Sequence, residues 1–259
     1  MKVKSMWMAA MMAALATGAA AAPATDGAAP GEWTMDLGAA KALAAETGRP
    51  LLLNFTGSDW CGWCRMMERQ VFSQEAWQTY AKDRLILVWV DFPRDKSLVP
   101  EAFAERNTQL MKEFEVGGFP TYILLDPDGQ TRLGQAGASR EATPQSFIAT
   151  LEDLLLASDK SVAALKAAMT DAQKAELDAA REAKEIAEKK LQDWIQTEPE
   201  ETEENNAAFL GMRDEIERAS AAYLQLLRAA KAAAAPADAP ESAEIPPAPA
   251  EASAPAEAP

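Results

Sequence analysis

Histidine is absent from the 259 residues of this chain, and cysteine occurs only twice. The first absence removes imidazole from every role: no Ser–His or Cys–His pair and no histidine general base can be assembled. The two absences together argue against metal. A structural zinc site usually takes four Cys or His ligands, so carboxylates alone would have to complete one here. A c-type haem motif needs His directly after the second cysteine, and position 65 is Arg. Basic residues are also scarce. Lys and Arg number 25 against 40 Asp and Glu, a formal net charge of −15. A chain this acidic does not hold nucleic acid or an anionic membrane through its overall field. Repeats, phosphate loops and nucleotide motifs are missing as well. The adjacent glycines Gly117-Gly118 precede a proline rather than a helix, and no cofactor is expected.

What remains is the cysteine pair itself, in Trp60-Cys61-Gly62-Trp63-Cys64. An apolar run, Leu51 to Phe55, leads in through the short loop Thr56-Gly57-Ser58-Asp59, and a charged, helix-compatible run from Arg65 leads out. The pattern predicts a strand, a loop and a CxxC at a helix start. Thiols one helical turn apart can close a disulfide, and the first sits where unpaired N–H groups and the helix dipole favour a thiolate. Lowering a cysteine pKa from about 8.5 to about 7 takes roughly 2 kcal/mol, which the helix N-terminus and the neighbouring Arg65 are expected to supply between them. An inert structural disulfide, buried by Trp60 and Trp63, is the competing reading.

Composition divides the chain into segments. Residues 1–24 read as a secretory signal: Lys2 and Lys4 precede an apolar stretch to about Ala16 and then a run of alanines, with cleavage expected after Ala21 or Ala24. That stretch is short for a transmembrane span, so no membrane insertion is expected after cleavage. Export gives a periplasmic or secreted protein and an oxidising compartment. From 33 to 157, helix-like and strand-like segments alternate, with strands at 51–55, 85–90, 121–125 and 130–133. The helices fall at 39–47, from the CxxC to about 81, at 101–114 and from Thr143-Pro144 onward. The class is α/β. Residues 158–231 form an alanine-rich helical extension with segments at about 161–196 and 204–231. The first carries a thin stripe, including Val162, Leu177, Ile186 and Trp194. The second carries Phe209, Met212, Ile216, Ala219, Tyr223, Leu226 and Ala230 at helical spacing. Either a hairpin closing on its own stripe or a partner-binding coiled coil satisfies that pattern. Residues 232–259, almost wholly Ala, Pro, Glu and Ser, are expected to be a disordered tail.

Over residues 33–157 the chain resembles the thioredoxin-like superfamily. Trp60-Cys61-Gly62-Trp63-Cys64 is similar to that family's WCxxC, and Gly118-Phe119-Pro120-Thr121 resembles its cis-proline loop. The long gap between them, and the Phe55 to Trp60 loop with its one extra residue, resemble the exported branch that includes the C-terminal domain of DsbD-type thiol:disulfide interchange proteins. The resemblance implies a central mixed sheet flanked by helices, with Cys61 as exposed nucleophile and Cys64 as resolving thiol. It also implies a cis bond at Phe119-Pro120. Three departures stand out. Asn54 occupies the place of a buried Asp, leaving Asp59 and Glu68 as the nearest ionisable groups. The inter-cysteine dipeptide is Gly-Trp, and it contains no histidine.

The activity expected on this basis is protein-disulfide reduction through a mixed disulfide. Trp60 and Trp63 form an apolar rim, Phe119 and Pro120 offer a strand edge to an extended substrate, and Arg65 tunes the thiol. The partners are disulfide-containing proteins and a membrane electron-relay protein that restores the dithiol. A disulfide oxidase or isomerase, and a non-catalytic binding scaffold, are the alternatives.

Overall fold

In the computed structural model, which describes residues 22–234, the strands are β1 (Trp33–Thr34), β2 (Leu51–Thr56), β3 (Ile86–Asp91), β4 (Thr121–Leu125) and β5 (Arg132–Gly137). They form one sheet in the order β1-β3-β2-β4-β5. β3 runs parallel to β1 and β2, whereas β4 lies antiparallel to both β2 and β5. β2 is buried along its whole length, as its apolar run requires for a central strand covered on both faces.

The side-chain period of two sorts the strand residues between two cores. Leu51, Leu53, Phe55, Val88, Val90 and Ile123 point to one face, which is covered by α1 (Leu37–Thr47) and α4 (Glu101–Glu113). Leu52, Leu87, Tyr122 and Leu124 point to the other, under α2 (Gly62–Met67), α3 (Glu75–Arg84) and α5 (Pro144–Leu156). Local chemistry sets the helix ends. Asp36 caps α1 through the Ala39 N–H, and Gly48 closes it at φ 67°, donating to the Ala44 carbonyl. That left-handed position suits glycine. Thr143 and Ser146 cap α5 reciprocally, with Pro144 in its first turn.

The expected single helix from the CxxC to about 81 is in fact three pieces. α2 gives way to a π-helical turn, Glu68–Phe72, then to an extended Gln74 before α3 begins. The break lets Phe72 and Trp77 enter the same core. Phe72 sits in edge contact with Trp33, Trp77, Tyr122 and Phe147, all at centroid distances of 5.1 to 5.6 Å. The last strand also begins later than its sequence suggests. The Asp128 carboxylate accepts from the backbone N–H groups of Gln130 and Thr131 and from the Thr131 hydroxyl, which holds both residues in the turn.

The extension comprises α6 (Asp159–Lys166), α7 (Asp171–Ile195) and α8 (Glu203–Ala234). The first expected segment is therefore split, because Thr170 starts a new helix with a capping box to Gln173. α7 and α8 run antiparallel: Lys190 pairs with Glu215, and Trp194 packs on Phe209. The root of this hairpin buries Leu177, Tyr223 and Leu227 with Val162 and with Leu156 of α5, and Arg228 bridges to Asp153 at 2.6 Å. The stripe differs from its sequence reading at two places. Leu227 rather than Leu226 is buried, and Ile186 is 59 % exposed while Ala187 faces inward. The new start at Thr170 resets the phase of α7, which carries Ile186 and Ala187.

α8 carries helix through 232–234, beyond the expected limit of the extension; the rest of the expected tail, like residues 1–21 of the expected signal, lies outside the described residues. Among the described residues no helix is long and apolar enough to cross a membrane.

Candidate active site

Four loops meet at the end of the sheet where β2 and β3 finish and β4 begins. The first is Gly57–Trp60, and two buried or anchored carboxylates hold it in place. Asp91, at the end of β3, accepts from the Ser58 N–H at 3.0 Å and the Ser58 hydroxyl at 2.6 Å. Asp59 accepts from the N–H groups of Arg94 and Asp95 in the loop after β3. Those bonds, Asp95 first and Arg94 next, hold the Asp59 carboxyl below its usual range. Trp60 lies back across the loop, its indole N–H donating to the Phe92 carbonyl at 2.8 Å. A side chain on Gly57 would come within 2.4 Å of that ring, so the close approach needs glycine.

Cys61 caps α2, and its sulfur accepts from the Cys64 N–H at 3.1 Å. The two cysteines form a disulfide with their Cα atoms 5.2 Å apart. Cys61 is 5 % exposed and Cys64 7 %. The exposed nucleophile implied by the resemblance is therefore not what the oxidised pair presents, because the bond to Cys64 and the N–H contact draw the Cys61 sulfur onto the helix end. Trp63, between the cysteines, is 43 % exposed, whereas Trp60 is half-buried. The Phe119–Pro120 peptide is cis. Phe119 packs edge-on against Trp60 at 5.7 Å, and Pro120 is buried just before Thr121, which pairs with Phe55. Six of the sequence-derived residues thus gather at one end of the sheet. The seventh, Arg65, turns its guanidinium back to the Asp59 carbonyl at 3.1 Å.

Behind the pair lies a cavity of about 230 Å³, lined by Cys64, Glu68, Arg65, Thr56, Trp33 and Trp89. Burial raises the Glu68 carboxyl above 4.5. Burial, and after it the Glu68 charge, also pushes the Tyr122 phenol well up. Asn54 and Tyr122 face each other across β2 and β4, both buried, and neither the Asn54 amide oxygen nor the Tyr122 hydroxyl has a partner. Of the two ionisable candidates, Asp59 is committed to loop anchoring and Glu68 faces the cavity. The Ser58–Asp91 anchor has no sequence signal, since its partners lie far apart in the chain. Among the described residues no cluster of three or more Cys, Asp or Glu is poised for a metal.

Glu68 makes a pH prediction. Its folded-state pKa is raised, so the native state binds its proton more tightly than the unfolded chain does. Its contribution is fully present below about 4.5 and is lost as pH rises through the higher folded value. Glu68→Gln should therefore gain in melting temperature relative to the parent as pH rises above that point. Parallel Tm curves from pH 4 to 8 would show that the carboxylate is not held in the cavity.

Residues 37–155 match the family model described as a thioredoxin-like domain. The segment is a thioredoxin-like domain. Among curated proteins, disulfide bond reductase DsbH of Chlamydia pneumoniae is 38 % identical over 88 residues, which cover 33 % of this chain and 52 % of that protein. The thiol:disulfide interchange protein DsbD of Actinobacillus pleuropneumoniae serotype 5b is 30 % identical over 88 residues, covering 34 % of this chain and 13 % of that one. A solved DsbH oxidoreductase superposes with a TM-score of 0.44 at 24 % identity, covering 60 % of this chain and 94 % of that one. The match thus spans about half of the Chlamydia relative and a small part of DsbD. A thioredoxin-like domain with an intact Cys61–Cys64 pair supports thiol–disulfide oxidoreductase chemistry.

Proposed function

We propose that this protein is an exported thiol–disulfide oxidoreductase that reduces protein disulfides. The observation that carries the reading is the Cys61–Cys64 disulfide at the start of α2, with the Cys64 N–H on the Cys61 sulfur and the Phe119–Pro120 loop alongside. Similarity to a protein named as a disulfide bond reductase favours the reducing direction, as does the lack of an inter-cysteine histidine.

In the reduced protein the same N–H stabilises a Cys61 thiolate, with the helix dipole and Arg65 adding to it. That thiolate attacks a substrate disulfide, joining one substrate sulfur to Cys61 and expelling the other as thiolate. Cys64 then loses its proton, attacks the Cys61 sulfur and releases the second substrate thiolate. Two electrons pass to the substrate, and the protein returns to the disulfide form. Glu68, one turn after Cys64 and lining the same cavity with its affinity for a proton raised, is the group suited to accept that proton. Phe119 offers its backbone to an extended substrate segment, and Pro120, lacking an N–H, keeps that edge open. Trp60 and Trp63 supply the apolar rim. Restoring the dithiol takes a two-electron donor, for which a membrane electron-relay protein is the partner expected in an exported setting. Cleavage after Ala21 suits this fold better than after Ala24, since the Ala24 backbone bonds to Trp33 and Met35. The helical extension is rooted on the C-terminal end of α5 through Leu156 and the Arg228–Asp153 pair.

The test is the reduction potential of the pair, equilibrated against dithiothreitol and glutathione buffers. A value toward about −270 mV with rapid exchange is expected of a reductant, and one near about −120 mV would make it an oxidase. Slow exchange with a potential below about −300 mV would leave a structural bridge on a scaffold.

A further inference from the structure

Although the chain is strongly acidic, exposed arginines stand around its cysteines. Three arginines, one from α2 and two from separate loops, stand there. Arg65 follows Cys64 in α2, Arg94 lies in the loop after β3, and Arg140 lies in the loop between β5 and α5. Two of them are seated on the tryptophans that flank the cysteines. The Arg94 guanidinium carbon stands 5.8 Å from the centroid of the Trp60 ring, and that of Arg140 stands 5.5 Å from the centroid of the Trp63 ring. All three side chains are exposed, and among the described residues none of them makes a salt bridge.

The nearby carboxylates do not cancel this charge equally. Asp59 is turned onto the Arg94 and Asp95 N–H groups, and Asp95 onto Ser97. Glu68 faces the cavity. Asp59, Asp95 and Glu141 are all exposed there, and the first two keep their charge while bonded to N–H groups, so the guanidinium groups act through direct contact rather than through a net positive field. A guanidinium stacked on an aromatic ring is already ordered and keeps its outward N–H groups for a carboxylate.

We infer that the arginine-bearing rim selects protein disulfides flanked by acidic residues, with Arg94 and Arg140 as the specificity-determining side chains. This rests on the thiol–disulfide reading above and names the substrate class for it. The substrate segment that lies along the Phe119 edge would place its carboxylates against the two guanidinium groups as its disulfide meets Cys61.

The experiment compares three otherwise identical disulfide peptides, with Glu, Gln or Lys on both sides of the cystine, reduced by the full-length dithiol protein at low salt. Rates should fall in the order Glu, Gln, Lys, with about fivefold between Glu and Gln, the scale of two exposed charge pairs. The spread should shrink at 0.5 M NaCl. The double variant Arg94→Glu/Arg140→Glu should invert the order, a readout that a change in thiol reactivity alone does not move. Equal rates for the three peptides, or an order unchanged in the double variant, overturns the inference and leaves the reductase reading standing. No reaction with any peptide or with hydroxyethyl disulfide overturns both.

Discussion

Cys61→Ser is expected to bring insulin reduction down to the rate of the uncatalysed reaction, and Cys64→Ser to accumulate protein bound covalently to substrate. The two outcomes differ because the sulfurs have different places. The Cys61 sulfur caps α2 and receives the Cys64 N–H, so it is the one whose thiolate the helix end stabilises. A serine hydroxyl there is not ionised at neutral pH and does not attack a disulfide. The Cys64 sulfur lies one turn further in and lines the cavity with Glu68. Without it the first exchange still occurs, but the mixed disulfide has no internal nucleophile to release it. Non-reducing electrophoresis should therefore show adducts with Cys64→Ser that vanish on adding dithiothreitol, and none with Cys61→Ser. Adducts on the Cys61→Ser protein instead would reverse the roles of the pair. Parental insulin reduction by both variants would remove the cysteines from the chemistry altogether.

How much of this was legible in the sequence depends on how local each cause is. β2 and β4 read clearly because Leu51 to Phe55 and Thr121 to Leu125 are apolar runs bounded by turn chemistry. The gathering of the CxxC with Phe119 and Pro120 followed from the family resemblance, and the β2–β4 register that brings Thr121 level with Phe55 gives its physical basis. The π-turn and the break before α3 were hidden, because the run from Arg65 to Ala81 contains no glycine or proline to mark an interruption. β1 was hidden because two residues carry no period. The anchors of the active-site loop were hidden for a different reason. Ser58 and Asp91, or Asp59 and Arg94, are each more than thirty residues apart, and an acidic residue in a loop gives no sign of the N–H groups it will meet. The placing of Arg94 and Arg140 on the two tryptophans is equally a product of topology, since they look like scattered charges until the loops meet.

Phe72→Ala should be the most damaging single core substitution that leaves both cysteines in place, lowering stability by about 3–5 kcal/mol. The ring is buried and is the common neighbour of Trp33, Trp77, Tyr122 and Phe147. Edge-to-face pairs of this kind contribute about 0.5–1.5 kcal/mol beyond the area they bury, and one truncation loses four of them. The surroundings have little means of closing the gap. Trp33 is held in β1, Tyr122 in β4 and Phe147 in α5, each fixed by its own strand pairing or helix. A second consequence reaches the active site. Phe72 ends the π-turn that continues α2, so losing its anchor frees the far end of the helix whose near end carries Cys61. Urea unfolding of the oxidised protein should show the midpoint shift, and the dithiol form of the variant should reduce insulin more slowly than its remaining folded fraction explains. A loss below about 1 kcal/mol would mean that the aromatic cluster repacks and that the π-turn is held by its neighbours Met67 and Val71 instead.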